Sequence, residues 1–122
     1  MIRIPRAEFV RLVRQAYRQL PQPVKEALRN VDVVVEDWPG SEESDCLAGD
    51  GTLFGLYSGV PLVERGGDGM ALPDRIALYR QPILRSCATR AEVAREVRIT
   101  LWHEVGHCLG LSEDDLHRLG YG

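Results

Sequence analysis

Lysine is almost missing from this sequence: of fifteen basic residues all but Lys25 are arginine, a bias that suits a GC-rich or heat-adapted source. Cysteine is sparse as well. Cys46, Cys87 and Cys108 are odd in number and contain no close pair, which argues against a disulfide framework. Without a Cys-x-x-Cys pair a zinc ribbon is excluded. No apolar run approaches a membrane span, and Met1 to Glu8 lacks the apolar stretch of a signal peptide. The expected setting is therefore cytoplasmic, with no membrane partner. No repeat or low-complexity tract is present. Fifteen basic against eighteen acidic residues leave a net charge of −3, so no overall attraction draws the chain to nucleic acid, and no nucleic-acid partner is expected.

What is present describes an ordinary globular chain. Its 122 residues are 44% hydrophobic and 27% charged, and the expectation is one domain over 1–122 that buries about two-thirds of its unfolded surface. Phe9, Val13, Ala16 and Leu20 share one stripe of a helix expected over Pro5 to Leu20. Pro21 and Pro23 end it, and Pro23 can open a short helix through Arg29. The β-branched run Val31 to Val35 reads as a strand. Asp37 to Gly51 is a polar loop whose start Trp38 pins. Glycines 55 and 59 and Pro61 break Leu53 to Val63 into a turn or bulge, with a short strand expected at Leu62 to Arg65. Asp74 to Tyr79 reads as a further strand, and Pro82 places it at a sheet edge. Thr89 and Glu92 have capping-box spacing for a long helix ending at Gly110, with Val93, Val97, Leu101 and Val105 as its core stripe. Ser112 can cap a last short helix through Leu119. The order predicts an α+β fold with a small mixed or antiparallel sheet.

The chemistry concentrates in that long helix. His103-Glu104-Val105-Gly106-His107 is an H-E-x-x-H pattern. Spacing of four sets the two histidines about 40° apart and about 6 Å along the axis, so both imidazoles can grip one zinc ion. Glu104 is turned about 100° from His103, beside the ion, where a general base stands. Gly110 suits a left-handed turn that reverses the chain toward the metal. A catalytic zinc takes a third protein ligand, and Glu113, Asp114 and His117 are the candidates, with Glu113 ten residues after His103. Cys108 is adjacent to His107 but points elsewhere on the helix and reads as a buried thiol. Trp102 and Val105 are expected to pack the helix on the sheet.

The stretch His103 to Leu116 resembles the signature of the bacterial zincin-like metallopeptidases, the single-domain mini-zincins. Leu53 to Arg65 and Leu72 to Arg80 resemble the same family, so the likeness covers about the C-terminal two-thirds of the chain. The resemblance implies a minimal zincin fold, in which a small sheet packs on the active-site helix with a cleft between them. It implies one Zn2+ per chain on His103, His107 and the position of Glu113, with Glu104 as catalytic base, in a zinc-dependent peptidase acting on peptides or unfolded protein. The strand from Arg75 to Tyr79 would be the cleft edge, with Arg75 and Arg80 as surface charges or substrate contacts. Two departures stand out. The family commonly has Asp where Glu113 stands, and Met1 and Met70 both precede the motif, so the Met-turn of larger metzincins is missing; Tyr121 is a candidate for its supporting role. Both departures favour the alternative of a catalytically weak or inactive zincin-fold module that binds metal or peptide. A metal-dependent nuclease fits less well, given the acidic charge and the lack of a third histidine at the required spacing. Exposed strand edges in so small a sheet allow a homodimer.

Overall fold

The computed structural model describes residues 2–40, 53–59 and 74–112, with Asp114 and Arg118. Its elements in chain order are α1 (Arg6–Arg18), α2 (Gln22–Ala27), β1 (Val31–Glu36), β2 (Gly55–Ser58), β3 (Asp74–Tyr79), α3 (Arg80–Arg85) and α4 (Arg90–Cys108). The three strands form one mixed sheet in the order β1-β3-β2. β1 runs parallel to β3 with Val33 opposite Ile76, and β2 runs antiparallel to it with Tyr57 opposite the same residue. Helices plus a small mixed sheet make this an α+β fold, as the sequence predicts.

Two expectations need correcting. Gly55 to Ser58, read as part of a turn or bulge, is strand β2. The strand from Asp74 to Tyr79, read as an edge, is central and paired on both sides. Pro82, which suggested the edge, lies in the first turn of α3 instead, where a missing N–H costs no helical bond. The strand expected at Leu62 to Arg65 falls outside the described residues.

Burial explains the central place of β3. Ile76, Leu78 and Tyr79 are fully buried and Ala77 nearly so, which closes both faces of the strand. Ile76 and Leu78 join Phe9 and Val13 of α1 and Val93, Val97, Leu101 and Val105 of α4 in the hydrophobic core. Trp102 also reaches α1: its indole N–H donates to the Ala16 carbonyl at 3.2 Å. Trp38 stays half exposed, with the Arg85 guanidinium of α3 4.9 Å from its ring centre. Arg75 pairs with Glu36, and Arg80 reaches both Asp37 and the Ile4 carbonyl, so the fold itself takes up both arginines.

Helix α4 carries the site, and both of its ends are fixed. Thr89 Oγ1 accepts the Glu92 N–H at 3.1 Å. Replacing Thr89 by Ala is expected to cost about 1 kcal/mol, measurable by denaturant unfolding. At the other end Gly110 has φ +88°. Its N–H donates to His107 O at 3.0 Å while the Leu111 N–H donates to Gly106 O at 2.9 Å. This is a Schellman closure that turns the chain just past the second histidine.

Candidate metal centre

The buried surface of α4 is wider than its apolar stripe. Beside Val93, Val97, Leu101 and Val105, a second row of Thr100, Glu104 and Cys108 is also buried, spaced four apart on the same helix. Polar residues in that row need a reason to be inside, and Glu104 has one in β2: the Tyr57 N–H donates to Glu104 Oε1 at 2.9 Å. β2 can lie this close because residue 55 has no side chain. A Cβ there would stand 2.8 Å from Thr100 Cγ2 and 3.0 Å from the Ala77 carbonyl oxygen.

Tyr57 is held in turn from below. Its hydroxyl donates to Oδ2 of Asp74, a residue only 2% exposed at the start of β3. Gly59, at φ +146°, passes over the same carboxylate, and a side chain there would run into Asp74. Asp74 and Gly55 are parts of the site that sequence reading did not single out. The one available signal was the glycine inside an otherwise apolar run.

The histidines meet as their spacing requires. His103 and His107 are half-buried, their ring centres 4.7 Å apart at an interplanar angle of 72°, and their Nε2 atoms 3.0 Å apart. A tetrahedral zinc with bonds of about 2.05 Å separates two nitrogen ligands by about 3.3 Å, so the pair is within a few tenths of an ångström of that spacing. One donor atom from each of His103, Glu104 and His107 lies within 4.8 Å of the others. Two imidazole nitrogens and a carboxylate are borderline-soft and hard donors suited to zinc. The residues therefore fit the ion.

The remaining candidates divide. Asp114 is helical and exposed, and it stands outside the His-Glu-His cluster. Glu113, His117, Tyr121 and Cys46 lie outside the described residues. Cys108 is fully buried, in keeping with a packing thiol. A cleft of about 220 Å³ opens beside the cluster, lined by Phe54 and Gly55 on one side and by Glu96, Thr100, His103 and Glu104 on the other. Its strand wall is β2, not β3.

A histidine pair poised at ligand spacing, a glutamate between them and an adjoining strand edge make up a zincin-type site. The sequence model of the zincin-like metallopeptidases matches residues 28–122. The chain belongs to that family. Among solved structures, a conserved hypothetical protein from T. thermophilus is similar to this zincin-like chain at 27% identity and a TM-score of 0.58, over 87% of this chain and 94% of the other. No curated protein matches the chain. Family and geometry together give a metallopeptidase-type fold whose His-Glu-His group can bind a metal, and the metal to which the family points is zinc. Among the described residues no helix is long and apolar enough to cross a membrane.

Proposed function

We propose that this zincin-like chain is a zinc-dependent peptidase that hydrolyses peptide bonds. His103 and His107 would hold the ion, with Glu113 as third ligand and Glu104 as general base. The observation that carries this reading is the convergence of both Nε2 atoms and the Glu104 carboxylate, with His103 and Glu104 on the wall of a cleft. Zinc, when bound, supplies Lewis acidity that acidifies water and polarises a carbonyl. Glu104 takes the proton from the attacking water and returns it to the departing amine. Among the described residues β2 stands at the end of the strand order, so an extended peptide or unfolded segment can add along it by backbone hydrogen bonds. The cleft is small, which leaves little room for deep side-chain pockets and favours low selectivity. Two buried thiols, Cys87 and Cys108, held outside any disulfide, suit the reducing cytoplasm in which we place the protein.

One observation favours a second reading, a weakly active or inactive binding module. Glu104 already accepts the Tyr57 N–H at Oε1, so one of its two oxygens is engaged by the strand rather than open to water. Zinc titration by calorimetry and digestion of a labelled peptide library test both readings. The peptidase reading expects one zinc per chain and cleavage that chelation abolishes. One zinc per chain with no cleavage favours the module. His107→Ala is expected to weaken zinc binding at least about tenfold, as loss of an ion ligand should exceed loss of a supporting group.

A further inference from the structure

A second groove, of about 550 Å³, runs between α1 and β1 and among the described residues shares no lining residue with the metal cleft. Its floor includes Val10, Tyr17, Val31 and Val33, each only partly buried against the core. Its rim carries Arg6, Arg14, Arg18 and Arg29, and among the described residues no acidic one lines it. Arg6 is committed, donating to the Val35 carbonyl at 2.6 Å and pinning the start of α1 to the strand. Arg14, Arg18 and Arg29 are exposed, and among the described residues none has an ion-pair or hydrogen-bond partner for its guanidinium. The one acid in α1, Glu8, pairs with Arg90 on the long helix.

The charge is lopsided in the whole sequence. The first thirty residues hold seven basic and two acidic side chains, a net +5, while the other ninety-two hold eight and sixteen, a net −8. Uncompensated arginines around half-covered valines form a surface complementary to a ligand both apolar and anionic. The backbone adds a third feature. β1 is at the end of the strand order, paired with β3 on one side and with no strand on the other among the described residues. One wall of the groove, α1, also precedes the residues that match the family.

We propose that this groove docks an extended acidic segment of a partner protein as an added strand along β1. The residues of β1 before Val35, whose carbonyl Arg6 holds, offer an edge of about 13 Å. Arg14 and Arg18 are about 6 Å apart along the helix axis, close to the roughly 6.6 Å between alternate residues of a strand. Aspartates or glutamates two positions apart thus meet successive arginines, while apolar neighbours cover Val10, Tyr17, Val31 and Val33. The open backbone edge favours a peptide over an acyl carboxylate, which would leave that edge unpaired.

The test uses the whole chain and a fluorescein-labelled decapeptide of alternating valine and glutamate, read by anisotropy against the same peptide with glutamine for glutamate. The acidic peptide should bind at least tenfold more tightly and weaken steeply with salt. Arg14→Glu with Arg18→Glu should cut its affinity at least tenfold, leaving zinc binding and the thermal unfolding midpoint unchanged. Equal affinity for the two peptides, no binding, or indifference to the charge reversals overturns the proposal. So does decanoate binding that displaces the peptide and is lost in the double variant, which assigns the groove to acyl carboxylates. Concentration-dependent dimerisation lost in that variant assigns it to a second copy of the chain and likewise overturns it.

Discussion

Glu104→Gln is expected to lower zinc-dependent peptide hydrolysis by about 10²–10⁴-fold while the protein still binds one zinc and melts near the wild-type temperature. The separation of these effects follows from the position of the residue. Glu104 is buried to 9% exposure, so its substitution must preserve shape and hydrogen bonding. Glutamine does both, because its side-chain carbonyl can accept the Tyr57 N–H that now goes to Oε1. What glutamine lacks is a site for the proton. The helix spacing sets the approach of the two imidazoles, whose Nε2 atoms already meet at 3.0 Å. Comparing cleavage rates and zinc stoichiometry of the two proteins checks the assignment. Equal rates would remove Glu104 from the chemistry. Loss of zinc along with activity would make it a ligand instead, a role its place in the His-Glu-His cluster permits.

The metal-binding half of the site was legible because it is local. H-E-x-x-H on a capped helix fixes two side chains on one face whatever the rest of the chain does, and Thr89 and Gly110 mark both helix ends. The strand that closes the cleft was not legible, because its reason for being a strand lies elsewhere in the sequence. Gly55 and Gly59 look like turn residues on local grounds. In the fold one of them admits Thr100 of α4 and the other makes room for Asp74 of β3. Long-range packing overrode a local preference, as is common for strands. Pro82 misled for a related reason: read as the end of an edge strand, it instead sits in a helix that begins at the very next residue after β3. The width of the buried face on α4 was also hidden, since Thr100 and Glu104 are polar and do not count toward an apolar stripe.

Gly55→Ala should show how far the site depends on that long-range packing. The added methyl would meet Thr100 Cγ2 at 2.8 Å, the Ala77 carbonyl oxygen at 3.0 Å and Leu78 Cδ2 at 3.1 Å. Two of these neighbours belong to the central strand, and the third is a β-branched side chain on the buried face of α4, so none can yield cheaply. Overpacking of this kind costs about 1–3 kcal/mol, or a fall of several degrees in melting temperature. The way to relieve it is to shift β2 away from α4, which lengthens the Tyr57–Glu104 hydrogen bond and widens the cleft. Leu101→Ala is the proper comparison. Leu101 is fully buried on the same helix, and its truncation should cost about 2–5 kcal/mol without pressing on β2. Assayed well below both melting temperatures, Gly55→Ala should lose peptide hydrolysis while Leu101→Ala retains it, with zinc bound by both. If Gly55→Ala melts with the wild type, β2 is not wedged against the helix as the distances require. If it melts lower but cleaves normally, Glu104 owes its working position to α4 alone.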